Sequence, residues 1–202
     1  MKRSVILGTL IGLGLFATRA DAIPINYTAF LSGPAEEPVN ASPGTGSVVV
    51  TIDTAAHTLE VSATFANLLS TTTAAHIHAP TAAPLSGTAG VATQVPSFLN
   101  FPLGVTSGTM PTTIFDLTLA ASFNPAFVTA QGGTAAAEAA LASALATGQA
   151  YFNIHTAAPL GFPAGEIRGF LTAAQVPEPA TLSLLSIALG SLVAARRRAR
   201  RS

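Results

Sequence analysis

The sequence predicts an all-β protein, an antiparallel Greek-key β-sandwich with one short alanine-rich helix in a connection. Apolar residues alternate with polar ones at a period of two over segments of strand length. Clusters of Gly, Pro, Asn and Ser separate these segments, and one segment alone has helical character. A parallel α/β fold would require several crossover helices. The pattern therefore favours a sandwich.

Alternation predicts three strands in the first third of the chain. Ile25–Leu31 is the first, and Gly46–Asp53 and Thr58–Asn67 follow it. The short connection at residues 54–57 predicts that the last two form a hairpin. His57 belongs to that turn, where we expect it to be solvated.

The middle of the chain carries weaker signals. Residues 81–111 are rich in Gly, Pro, Ser and Thr and predict a long excursion with one short strand at most. Thr112–Ala120 is expected to be a strand that Ile114 and Leu117 anchor in the core.

One helix is predicted in the connection that follows. Thr134 is a suitable N-cap, Gly148 a suitable C-terminal stop, and alanine dominates between them. Leu141 and Leu145 lie four residues apart and so share a face.

The strands predict a core of apolar residues that point to one side of the sheet. Its expected members are Val48, Val50, Ile52, Leu59, Val61, Phe65, Ile77, Phe152, Ile154 and Ile167.

Polar groups are placed regularly on two strands late in the chain. Residues 149–171 read as two strands joined by a loop rich in Pro and Gly. Alternation puts Tyr151, Asn153 and His155 on one face of the first strand. Glu166 and Arg168 share a face of the second.

An earlier strand, AAHIHAP, repeats this arrangement with His76 and His78 on one face. If the later hairpin packs beside it, His155 joins them, and three neutral imidazoles with an open position can bind zinc or copper. Arg168 and Glu166 are then candidates to hold an anion or to polarise a metal-bound water. In the alternative interpretation the histidines hydrogen-bond to loop carbonyls, and Arg168 neutralises Glu166 or another acid.

The paired motifs AAHIHAP and YFNIHT…GEIRGF resemble those of the CHRD (chordin) domain family. The resemblance extends over residues 26–172. It implies a β-sandwich of secreted and surface proteins, and it implies no particular activity.

The same residues show a more distant resemblance to copper–zinc superoxide dismutases, through the segments AHIH, NIH and AGEIRG. This resemblance implies that His76, His78 and His155 match three copper ligands and that Arg168 matches the arginine that guides superoxide. However, residues 79–154 contain no histidine and the chain has no cysteine. A full dismutase site is therefore not supported.

The N-terminus has the features of a secretory signal peptide, Met1–Ala22. Lys2 and Arg3 precede an apolar run at residues 5–17, and the small residues of the sequence ADA end at Ala22. We expect signal peptidase to cleave after Ala22, so that the domain occupies residues 23–175.

The C-terminus, residues 176–202, has the order Pro177, Glu178, Pro179, an apolar segment and an arginine cluster. This order resembles the PEP-CTERM sorting signal of exopolysaccharide-producing Gram-negative bacteria. The resemblance implies cleavage by an exosortase near the Pro-Glu-Pro motif. Until then the apolar helix at residues 180–195 would anchor the protein transiently in the inner membrane, with the arginines in the cytoplasm.

Charge excludes one class of partner. Residues 23–176 contain seven acidic side chains and a single basic one, Arg168. Binding to nucleic acid requires a basic surface, so we expect no nucleic-acid partner.

Two functions are compatible with these features. The first is a non-enzymatic protein of the cell surface or extracellular matrix, retained near exopolysaccharide. The second is a metal-binding (copper or zinc) or redox protein of the same location. Because the sequence shows no nucleophile motif, no phosphate-binding loop and no paired carboxylates, it offers no catalytic residue and favours a protein without turnover.

Overall fold

A computed structural model describes residues 23–174. Eight β-strands are present in this part: β1 Ile25–Ser32, β2 Thr45–Asp53, β3 Thr58–Ala66, β4 Thr72–His78, β5 Gly108–Asp116, β6 Tyr151–Thr156, β7 Ile167–Phe170 and β8 Thr172–Ala173. Two α-helices lie between β5 and β6: α1 Pro125–Gln131 and α2 Thr134–Ala146.

All strand pairings are antiparallel, in the order β4-β6-β7-β1-β2-β3-β5, and β8 pairs with β1. Strands β4 and β5, which are consecutive in sequence, lie at opposite ends of the sheet, so the chain between them crosses from one end to the other. The sheet curls around one core. The predicted all-β antiparallel sandwich is therefore confirmed.

The aromatic side chain of Phe98 packs between β5, at one end of the sheet, and β6, the strand next to the other end. Its ring lies 5.2 Å from that of Phe115 on β5 and 5.9 Å from that of Phe152 on β6. All ten predicted core residues are buried in the same cluster. Alternation identified them because each strand turns one face to this interior.

The predicted β2–β3 hairpin is present, with Asp53 opposite Thr58. His57 lies in its turn and is exposed, as expected, but it also contacts a helix. It adopts a positive φ of 56°, and its Nδ1 lies 2.8 Å from the carboxylate of Glu138 on α2. The hairpin turn is thus tied to the helix as well as half exposed to solvent.

Strand β5 begins and ends earlier than predicted. It starts at Gly108, because the partner strand β3 extends far enough to pair with it. It ends at Asp116, whose carboxylate accepts hydrogen bonds from both the backbone nitrogen and the hydroxyl of Thr118, which turns the chain. The expected anchor Ile114 is 62% exposed, whereas Leu117 is buried beyond the strand end.

The helical region also differs in detail. Helix α1 was not predicted, and the side chain of Asn124 caps it by accepting from the nitrogen of Ala126. Helix α2 matches the alanine-rich segment, but Gly133, not Thr134, occupies its N-cap. Its leucines, Leu141 and Leu145, are buried as expected. No helix within residues 23–174 is both long and apolar enough to cross a membrane.

Candidate metal centre

The sheet brings the three histidines of β4 and β6 together. The two strands are neighbours, with His76 opposite Asn153 and His78 opposite Tyr151. His76 and His78 are 6% and 7% exposed, and His155 is partly exposed. One nitrogen from each of the three rings lies within 4.8 Å of the other two.

Each imidazole is held by a backbone carbonyl. The hydrogen bonds join His76 Nε2 to Pro96 O (2.8 Å), His78 Nδ1 to Ala89 O (2.9 Å) and His155 Nδ1 to Pro163 O (3.0 Å). A carbonyl oxygen only accepts, so each of these nitrogens carries the proton. The other nitrogen of each neutral ring therefore has a free lone pair.

The free lone pairs of the three rings are poorly satisfied. His76 Nδ1 is buried and has no hydrogen-bond partner among the described residues. His78 Nε2 and His155 Nε2 are 3.4 Å apart, and in the neutral rings neither carries a proton to share. Two nitrogens bound to one zinc ion at ~2.0–2.1 Å and the tetrahedral angle lie ~3.3–3.4 Å apart. This pair is therefore spaced as two ligands of one ion.

Burial keeps these rings neutral. The pKa of both His76 and His78 is lowered to about 4, chiefly by desolvation and in part by the nearby imidazoles. Desolvation also lowers the pKa of His155. Neutral imidazole is the form that binds metal, so the ligands need no deprotonation at neutral pH.

Tyr151 separates the histidines from Arg168. Its ring stacks on that of His78 at 4.8 Å, and the guanidinium of Arg168 lies 4.8 Å from the centre of the same ring. Strand β6, which carries Tyr151, lies between β4 and β7. Arg168 therefore sits on the far side of an aromatic ring from the three nitrogens.

The guanidinium of Arg168 is buried and holds two loops. Nε donates to Ala35 O at 2.5 Å and Nη1 donates to Gly87 O at 3.1 Å. Its carboxylate partners are Glu37 at 3.4 Å and Glu36 at 3.8 Å. These contacts tie strand β7 to both loops.

Glu166 lies in a different hydrogen-bond network. Its buried carboxylate accepts from Ser42 Oγ, Thr156 Oγ1 and the backbone nitrogen of Leu69, each at 2.6 Å. The histidines are not among its described partners, and Arg168 pairs with Glu36 and Glu37 instead. The structure thus brings His76, His78 and His155 together, keeps Arg168 behind Tyr151 and leaves Glu166 apart.

Sequence reasoning missed the groups that orient the rings. The three carbonyls belong to Ala89, Pro96 and Pro163 in irregular segments, and backbone acceptors leave no residue-type signal. Tyr151 was placed on the correct face, but its stacking on His78 was not foreseen. Ala22 and Pro177–Pro179, the expected processing sites, lie outside the described residues.

Two family comparisons cover nearly the whole chain beyond its N-terminus. The CHRD domain matches residues 27–171, and the PEP-CTERM protein-sorting motif matches residues 175–201. No curated protein and no solved structure matches the chain. The sorting motif identifies an exported cell-surface protein that an exosortase sorts. Since the first match spans most of its length, the chain belongs to the CHRD domain family.

Proposed function

We propose that this protein is a non-enzymatic surface or matrix protein whose CHRD domain binds one copper or zinc ion. The ligands are His76 Nδ1, His78 Nε2 and His155 Nε2. The observation that supports this most strongly is the convergence of three imidazoles, each of which donates to a carbonyl through one nitrogen and keeps a lone pair on the other. Such outer hydrogen bonds orient ligands and raise their basicity in metal sites.

A bound cation removes the repulsion between the facing lone pairs of the three imidazoles. Facing lone pairs repel each other, and the lowered pKa values of His76 and His78 disfavour an added proton at neutral pH. Imidazole nitrogen is a good ligand for zinc and copper. The partial exposure of His155 leaves a side from which water can complete the coordination. Dismutase activity is not part of this proposal.

Thermal unfolding of the purified exported protein tests the proposal. At free metal one hundred times the dissociation constant, binding stabilises the fold by about 2.7 kcal/mol, which raises Tm by roughly 5–10 °C. His76→Ala and His155→Ala should each abolish the rise. His57→Ala is the control: it lowers the starting Tm by breaking the contact with Glu138 but retains the metal-induced rise. An unchanged Tm with both copper and zinc contradicts the proposal.

The finer features of export belong to the same proposal. Signal peptidase cleaves after Ala22, the C-terminal segment anchors the precursor in the inner membrane, and exosortase cuts near Pro177–Pro179. The released domain then resides near exopolysaccharide. The sorting motif supports this route. Glu178→Ala should leave export intact and cause uncleaved precursor to accumulate in the membrane fraction; normal release of that variant contradicts the proposed role of the motif.

A further inference from the structure

The three histidine ligands form a set without net charge. Among residues 23–174, the one group of side chains placed to hold an ion consists of His76, His78 and His155, and it contains no carboxylate. Each ring also donates to a backbone carbonyl, where a carboxylate is a common alternative in metal sites. A bound ion therefore brings its full charge into the site without an anionic ligand.

The acidic side chains of the neighbouring segments are engaged elsewhere. Glu166 accepts three hydrogen bonds from neutral donors. Glu36 and Glu37 both pair with Arg168. None of these three carboxylates is a described hydrogen-bond partner of a ligand ring, so they are not placed to neutralise a bound ion.

Arg168 adds positive charge on the other side of Tyr151. Its guanidinium lies 4.8 Å from the centre of the Tyr151 ring, which stacks on His78. The charge of Arg168 contributes to the lowered pKa of His78, after desolvation and the nearby imidazoles, so it is felt at the site. Among the described residues, the ionised side chain that acts on His78 is thus a cation rather than an acid.

Burial makes charge costly at this site. His76 and His78 are 6% and 7% exposed. The cost of moving an ion out of water rises with the square of its charge, so a divalent ion costs about four times as much as a monovalent ion of the same size. Imidazole dipoles, and water beside the partly exposed His155, offset this cost in part for either ion. Without an acid to neutralise the ion, the site favours the lower charge.

Ligand number favours the same ion. Structural zinc sites are almost always four-coordinate, whereas the described side chains supply three nitrogens here. Monovalent copper is stable with three nitrogen ligands in one plane, which lie ~3.5 Å apart at bond lengths of ~2.0 Å. The 3.4 Å between His78 Nε2 and His155 Nε2 accommodates this plane as well as a tetrahedron. Charge and ligand number, rather than spacing, therefore select the ion.

We propose that the three histidines bind monovalent copper more tightly than divalent copper or zinc. This inference rests on the proposed metal centre and names the ion that the centre takes. It gives the surface protein the role of holding cuprous copper, without turnover.

The reduction potential of copper bound to the purified exported protein tests the inference. Binding the monovalent ion ten times more tightly than the divalent ion makes the potential about 59 mV more positive than that of aqueous copper, and we expect at least this shift. Competition with bicinchoninate for cuprous copper under nitrogen, and with pyridylazoresorcinol for zinc, gives the two dissociation constants. The Kd for cuprous copper should be at least tenfold lower than that for zinc.

Asn153→Asp adds the missing negative charge with almost no change of shape. Asn153 is buried and lies opposite His76 on β4 and Arg168 on β7. The bound ion and Arg168 keep the new carboxylate ionised, and its charge stabilises a divalent ion more than a monovalent one. The tenfold preference should fall at least tenfold, which lowers the potential by about 59 mV. The control Asn26→Asp puts the same charge on an exposed position of β1, with β7 between β1 and β6, and should leave the potential unchanged.

The outcomes separate this inference from the metal centre itself. The inference is overturned if bound copper has a potential at or below that of aqueous copper, if zinc binds as tightly as cuprous copper, or if Asn153→Asp leaves the potential unchanged in a variant whose Tm shows that it is folded. In each of these cases an ion still binds, so the proposed metal centre stands. If one equivalent of either metal leaves Tm unchanged and neither competes with its chelator, the metal centre fails and the inference fails with it.

Discussion

At the level of single residues, the motif GEIRG is mainly a set of structural anchors around the histidines. Glu166 joins the segments of Ser42, Leu69 and Thr156 through three short hydrogen bonds. Gly169 lets β7 approach β1, since a Cβ there would overlap the carbonyl of Phe30. The roles of these residues follow from close packing and buried hydrogen bonds.

Replacing Glu166 should therefore be costly. Glu166→Gln retains the shape but turns one acceptor oxygen into a donor that faces a hydroxyl or amide donor. Because hydrogen bonds to a charged group contribute about 1.5–3 kcal/mol each, we expect the free energy of unfolding to fall by at least about 2 kcal/mol in urea denaturation. Glu60→Gln on β3 is the control and should change it by less than about 0.5 kcal/mol. Equal effects for the two variants would contradict the anchoring role.

Glu36 should make stability depend on pH. Burial raises its pKa from 4.5 to about 7, although the charge of Arg168 opposes the rise. The folded state then binds more protons than the unfolded state between these values, so this group's contribution to stability is full below pH 4.5 and is lost as pH rises through 7. Glu36→Gln should remove that slope. Free energies of unfolding measured from pH 4.5 to 8 check this, and parallel curves for the two proteins would contradict it.

At the level of elements, the alternation of polar and apolar residues predicted the strands that carry the site. It did not predict the irregular segments that cover the site. Strands β4, β6 and β7 alternate polar and apolar residues, and their core members are buried as predicted. In the segment between β4 and β5, apolar residues do not recur at the period of a strand or a helix. It nonetheless supplies the carbonyls of Ala89 and Pro96 and the ring of Phe98, because tertiary contacts rather than local propensity fix its path.

That irregular segment should matter as much to stability as a strand. Phe98 fills the space between Phe115 and Phe152, so Phe98→Ala leaves a cavity and should lower the free energy of unfolding by about 3–5 kcal/mol. Its neighbour Leu99 is 59% exposed, and Leu99→Ala should cost less than about 0.5 kcal/mol. Chemical denaturation of the two variants measures the difference. Similar values for both would show that the segment does not close the core.

At the level of the whole molecule, the curled sheet brings together residues distant in sequence. His78 and His155 are separated by 77 positions and meet because β4 and β6 are neighbours. Residue types and alternation predicted which side chains would share a face. They could not predict the tautomer of each ring or the 3.4 Å spacing of two nitrogens, since both depend on loop carbonyls and on sheet curvature.

The account depends most on whether three imidazoles bind one ion. X-ray absorption at the metal edge of the exported protein, loaded with one equivalent of copper or zinc, measures this directly. We predict a first shell that includes three nitrogens, at ~2.0–2.1 Å for zinc, with the outer-shell scattering of three imidazole rings. His76→Ala should reduce the imidazole count to two. A first shell of oxygen atoms without imidazole scattering would contradict the metal centre.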